Sequence, residues 1–109
     1  MHWLHLVSYF FGGAFLANAL PHVVSGMMGE SFQTPFAKPS GQGVSSSTVN
    51  VLWGFANLVF AYLLLVRVGH FDWRSMGSVV GFAAGALCIG VGSARHFGQF
   101  HGGSTPSRR

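Results

Sequence analysis

Apolar residues in this chain come in long unbroken blocks, with neither the alternation of a half-buried strand nor the single stripe of a surface helix. No Asp, Glu, Lys or Arg occurs from Met1 to Gly29, from Pro39 to Val66, or from Ser75 to Ala94. A bilayer core about 30 Å thick is crossed by about 20 apolar residues in a helix rising ~1.5 Å each. Each charge-free window holds one such segment. The pattern predicts an all-α integral membrane protein with three transmembrane helices, over residues 3–24, 48–66 and 76–96.

Local signals place the boundaries. Trp3 and Tyr9 suit a start at the membrane interface, and Pro21 predicts a kink or an early end. Ser45, Ser46, Ser47 and Thr48 offer capping oxygens to the second helix, and Arg67 closes its far end. Asp72, Trp73 and Arg74 mark the start of the third, and Arg95 its exit. The first connection, Gly29 to Ser47, is a long Gly/Pro/Ser-rich loop without periodicity, a kind that is commonly functional or mobile. Phe32 and Phe36 are expected to dip from it into the interface beside Lys38. The second connection, Val68 to Ser75, is short and predicts that helices two and three are antiparallel neighbours. One three-helix domain, residues 1–97, is followed by a tail, 98–109, whose composition predicts disorder. Ala17-Asn18-Ala19 resembles a signal-peptide cleavage site. The lack of Lys or Arg before the apolar run argues for an uncleaved helix.

Composition sharpens this picture. Half of the 109 residues are hydrophobic, 7% are charged and 16 are glycine, too little charge to keep a soluble surface dispersed. The net charge of +4 arises from six scattered basic residues, several of them bracketing apolar spans. Membrane-flanking anchors fit that pattern, and a nucleic-acid interface does not. The single cysteine, Cys88, can form neither an internal disulfide nor a Cys-based zinc site. Lys38, Arg95, Arg108 and Arg109 fall on one side of the membrane, against Arg67 and Arg74 on the other. That excess places the first loop and C-terminus in the cytoplasm and the N-terminus outside.

Several groups of residues are candidates for chemistry or assembly. Gly77, Gly81 and Gly85 recur every four residues in the third span, and Gly92 continues the face. Small residues let helix backbones approach, so this stripe predicts a helix–helix seam within the chain or between copies. On the second span Asn50, Gly54, Asn57 and Ala61 share a face, with Asn57 ~14 Å in from Thr48. An amide at that depth needs a partner inside a bundle. Asn18, His22, Asn50, Asn57, Arg95 and His96 are expected in one half of the membrane, with Lys38 just outside it. Polar groups so placed usually face a cavity or one another, which makes Asn18, His22, Asn57, Arg95, His96 and Lys38 the candidate ligand residues.

Other chemistry is weakly supported. His5 with His70, or His22 with His96, could face each other as b-type haem ligands, but His5 and His70 lie at span ends, too shallow for a buried porphyrin. No cofactor is expected, and the histidine spacing is not diagnostic of a metal. The segment from Lys38 to Thr48 has the glycine amides and serines of a cradle for an anionic lipid headgroup, but a flexible linker ending in a helix cap is the preferred reading. Glu30 and Asp72 are predicted on opposite sides, and no nucleophile elbow is present, so catalysis is not expected.

The run from Asn18 to Gly41, with Asn18-Ala-Leu-Pro-His22 and Gln33-Thr-Pro-Phe-Ala-Lys38-Pro-Ser-Gly, continues through Ser45-Ser-Ser-Thr-Val-Asn50-Val-Leu-Trp-Gly54. Together with the closing stretch from Ala94 to Gly103 it resembles a group of small bacterial inner-membrane proteins with no assigned activity. The resemblance implies an intact bacterial membrane protein and supplies no site residues. The expected function is that of a non-enzymatic accessory or scaffold subunit, in a homo-oligomer or a larger membrane complex. The alternative is a protein binding or transporting a small ligand, lipid headgroup or ion through the polar cluster.

Overall fold

In the computed structural model, which describes residues 2–105, the chain forms three long helices and one small hairpin. Helix α1 spans Trp3–Met27, α2 spans Ser47–Tyr62 and α3 spans Met76–His101. α2 runs on through a π-helical segment, Leu63–Val68. Each of the three is long and apolar enough to cross a bilayer.

The helix ends follow the capping chemistry. His2 accepts the Leu4 amide, Ser46 accepts Val49 and Ser75 accepts Ser78 through their side chains, satisfying donors that a helix start leaves free. Pro21 does not end α1, because the helix continues to Met27. α3 extends past the expected end near residue 96 and stops at Gly102, whose φ of 84° suits a residue without a Cβ. Helix therefore occupies the first residues of the segment read as a disordered tail. Residues 102–105 turn back, the Ser104 amide bonding the Gly98 carbonyl at 3.3 Å, and the rest of that tail, with Arg108 and Arg109 of the charge count, lies at 106–109, outside the described residues.

α1 is the hub. It packs along both α2 and α3, whereas α2 and α3 barely touch each other. This overturns the expectation that helices two and three are neighbours. A short connection brings chain ends together, but side-chain size decides which faces close. Ala19, Val23 and Gly26 of α1 meet Gly54, Val51 and Ser47 of α2 in antiparallel register. On the other side, a Cβ on Gly85 would overlap the Phe10 carbonyl, and one on Gly13 would overlap the Phe82 carbonyl. Backbones thus touch at a Gly13–Gly85 crossing, and α3 runs parallel to α1. Two side chains of α1 fasten the far end of α2: Ser8 donates to the Leu64 carbonyl in the π-helical segment, and Tyr9 donates to that of Gly69.

The connection between α1 and α2 is folded. Phe32–Gln33 (β1) pairs antiparallel with Val44–Ser45 (β2), with Phe32 opposite Ser45. Phe32 does not dip into an interface. It is buried, its ring 4.8 Å from Phe97 and 4.9 Å from His101 between centroids. The hairpin therefore caps one end of the bundle.

Burial runs inside out relative to a water-soluble protein. The largest fully buried side chains are His22, Asn50, Asn57, Thr34 and Ser78, all polar. Large apolar side chains such as Leu20, Leu52, Phe55, Val59, Val80 and Leu87 face outward on all three helices. Water disfavours so extensive an apolar surface, while hydrocarbon accommodates it and drives polar groups to pair internally.

Candidate functional site

The buried polar groups gather where α1, α2 and the hairpin meet. Asn50 of α2 is the centre. Its side-chain amide nitrogen donates toward the carbonyls of Phe32, Ser45 and Ser46 at 3.2, 3.1 and 3.0 Å. Because that nitrogen faces only acceptors, its Oδ1 is the acceptor for His22 Nδ1, 2.8 Å away. The imidazole is held in the Nδ1–H tautomer, and its Nε2 makes no hydrogen bond among the described residues. One turn deeper, Asn18 Nδ2 donates to Asn57 Oδ1 at 3.0 Å, and Asn57 Nδ2 donates to the Trp53 carbonyl at 2.8 Å.

The hairpin is fastened over this network from α3. His96 Nε2 lies 2.6 Å from the Gly41 carbonyl, and His101 Nε2 lies 2.8 Å from Gln33 Oε1. Thr34 organises the hairpin itself, its hydroxyl meeting that of Ser45 at 2.6 Å and accepting the Phe36 and Ala37 amides.

These elements border a partly open cavity of ≈ 230 Å³, lined by Asn18 and His22 of α1, Trp53 of α2, His96 and Phe97 of α3, and Gln33, Thr34, Pro35 and Gly41 of the hairpin. Trp53 carries the one buried side-chain nitrogen or oxygen, among the described residues, that has no hydrogen-bond partner. Its indole Nε1–H is a donor that nothing accepts, a deficit costing roughly 1–3 kcal/mol. Phe36 packs edge-on against the same indole, with 4.9 Å between centroids. A larger depression of ≈ 530 Å³ lies nearby, lined by Ser25, Gly29, Glu30, Ser31, Phe32 and His101. Its rim of exposed Glu30 and Ser31 resembles an open surface more than an enclosed site.

The candidate residues read from the sequence divide cleanly. Asn18, His22, Asn57 and His96 come together, with Asn50 joining them. Arg95 and Lys38 do not line the cavity and stay exposed, Arg95 contributing its backbone carbonyl to Ser104 at 3.4 Å. Of the glycines, Gly81 and Gly85 face α1, Gly77 is half-buried near the start of α3, and a Cβ at Gly92 would meet nothing within 4 Å. Gly92 therefore takes no part in the seam inside the chain.

Trp53 escaped the sequence reading although the signal was present. It stands three residues after Asn50 and four before Asn57, on the same helical face. Gln33, Thr34, Pro35 and Gly41 carried no such signal, because a hairpin of two-residue strands leaves no periodicity to read. At the opposite end of the bundle His5 and His70 do approach, with 6.1 Å between ring centroids. No three His, Cys, Asp or Glu among the described residues gather closely enough to hold a metal ion.

Fold and site together define a hub-and-spoke bundle of three potential membrane-spanning helices, compatible with a multi-pass membrane protein, with a cavity beside the hairpin at one end. Compared with family models, with curated proteins and with solved structures, the chain matches none.

Proposed function

We propose that this chain is a non-enzymatic integral membrane protein that binds a small ligand in the cavity beneath its hairpin. It would do so in a bacterial inner membrane, N-terminus outside and C-terminus in the cytoplasm. The observation carrying this reading is the buried, unpartnered indole N–H of Trp53, a residue that lines the cavity together with His22. A bundle built only to hold its helices together gains nothing from a buried donor without an acceptor. A ligand that both accepts and donates would complete both groups. Native mass spectrometry from lipid nanodiscs tests the idea. A stoichiometric small mass is expected on the wild type and is expected to be lost in Trp53→Phe and His22→Ala. Equal retention in both variants removes the cavity as its site.

A second reading, an accessory subunit within a homo-oligomer or a complex with other membrane proteins, is favoured by one feature. Gly92, seven residues on from Gly85, leaves open space on α3 where a Cβ would stand, so another helix could approach closely there. The same spectra test it: a defined oligomer or co-extracted protein with no small-molecule mass favours the subunit.

A further inference from the structure

The hairpin joining α1 to α2 does not project beyond the helices. Phe36, at the start of its tip, packs edge-on against Trp53, six residues in from the start of α2, or ~9 Å along the axis. On the other side Gly41 is held by His96, five residues before the end of α3, or ~7.5 Å. The tip, residues 35–43, is therefore folded back along the flank of the bundle. It lies level with helices apolar enough to cross a bilayer.

The chemistry of the tip fits that depth. An irregular backbone close to hydrocarbon has little water to bond its polar groups, so it must bond them itself. Between Phe36 and Gly43 there are seven backbone N–H groups, Pro39 having none, and five are bonded inside the hairpin. The amides of Phe36 and Ala37 donate to the Thr34 hydroxyl, and that of Gly41 to the Thr34 carbonyl. Those of Gln42 and Gly43 both donate to the Pro39 carbonyl. Thr34, the organiser, is 1% exposed. Outward the tip presents Pro35 and the Phe36 ring, which is 61% exposed, with Val44 exposed behind them. From Ser31 to Ser46 there is one formal charge, Lys38. The two remaining N–H groups, of Lys38 and Ser40, have no partner among the described residues and belong to exposed residues beside that charge.

Resting on the membrane reading above, we propose that the hairpin tip is a re-entrant element whose partner is the phospholipid of the adjoining leaflet. Pro35 and Phe36 lie among the upper acyl chains, where burying the exposed ring is favourable. Lys38 extends its apolar stem through that layer and sets its ammonium at a headgroup phosphate, whose oxygens also accept from the Lys38 and Ser40 amides.

The test uses the full chain in nanodiscs of phosphatidylethanolamine and phosphatidylglycerol, with Cys88→Ser removing the native thiol. Nitroxides are placed singly through Phe36→Cys, Gln42→Cys, Val59→Cys and Ser104→Cys. Their relaxation is read with oxygen, which concentrates in hydrocarbon, and with a neutral nickel chelate, which stays in water. Val59 faces outward ~18 Å along α2 and marks the hydrocarbon, while Ser104, past the end of α3, marks water. The oxygen-to-nickel ratio at position 36 is expected to approach that at 59 and to exceed those at 42 and 104. Because the label replaces the ring, the chain with Phe36 intact is also photolabelled by a phosphatidylglycerol carrying a diazirine near its glycerol. Adducts are expected on residues 35–38, in lower yield in Lys38→Gln. Nickel access at 36 equal to that at 104, or adducts confined to the three helices, overturns the re-entrant tip, and the membrane reading stands if 59 is shielded. Nickel access at 59 overturns both. An unchanged yield in Lys38→Gln refutes the phosphate contact.

Discussion

Asn50 and Asn57 have the same residue type, the same helix and the same complete burial, yet the structure assigns them very different weights. Replacing Asn50 by Leu keeps the volume and removes every polar contact. His22 Nδ1 loses its one acceptor, while the carbonyls of Phe32 and Ser45 lose one of two donors, each keeping the amide opposite it in the hairpin. Ser46 is spared, because its carbonyl also accepts the Asn50 backbone amide at 3.0 Å. One buried group left without a partner, beside carbonyls each reduced to a single bond, gives a cost of about 1–3 kcal/mol. Asn57→Leu removes one interhelical bond, from Asn18, since its other bond serves a carbonyl of its own helix. Interhelical bonds of that kind are worth about 0.6–2 kcal/mol. Unfolding of both variants by SDS in mixed micelles, followed by helical circular dichroism, compares them directly. Asn50→Leu should lower stability more than Asn57→Leu, because it orphans the fully buried His22 Nδ1 as well as weakening three carbonyl bonds. Equal costs, or the reverse order, would refute the assignment of Asn50 as the tie between hairpin and bundle.

Three further expectations use other parts of the fold. Gly85→Ala should destabilise by about 1–3 kcal/mol through overpacking against the Phe10 carbonyl, while Gly92→Ala should be neutral or slightly stabilising; the same SDS titration separates them. Tyr9→Phe should cost about 1 kcal/mol and loosen the end of α2, seen as faster amide exchange at Gly69 and Phe71, whose amides bond the Leu64 and Leu65 carbonyls. His101→Ala should release the hairpin from α3 and raise amide exchange at Thr34 and Gly41, with the helix core unchanged in protection.

The helices were legible because three charge-free blocks satisfy a length requirement that bilayer thickness imposes from outside the sequence. The polar face of α2 was legible for a related reason: Asn50 and Asn57 are costly in hydrocarbon unless partnered, so their spacing already implied an interior. Which helices would partner was not legible. Connection length argued for α2 beside α3, but the close contacts depend on which backbones can meet without Cβ atoms, at Gly13 with Gly85 and Ala19 with Gly54. Phe32 shows the limit most sharply. As an aromatic in an irregular loop it looked like an interface anchor, and only the pairing of its strand with Val44–Ser45 turns it inward onto Phe97 and His101. Arg95 was expected in the same half as the cluster and Lys38 just outside it, yet both stand apart from it, exposed, because long cationic side chains extend away from an apolar interior.

Having both partners rest on α1, and not on each other, also constrains assembly during synthesis. On the proposed membrane reading, an N-to-C emerging chain inserts its hub first, where Ser8, Asn18 and His22 wait without their mates. α2 resolves that exposure as it arrives, by supplying the Leu64 carbonyl, Asn57 and Asn50. α3 then has a finished two-helix platform to land on, and its histidines fasten the hairpin last. A fragment ending before Trp73 should therefore survive as a docked pair able to capture α3 supplied as a separate peptide. A fragment beginning after α1 should leave α2 and α3 as strangers in the same membrane.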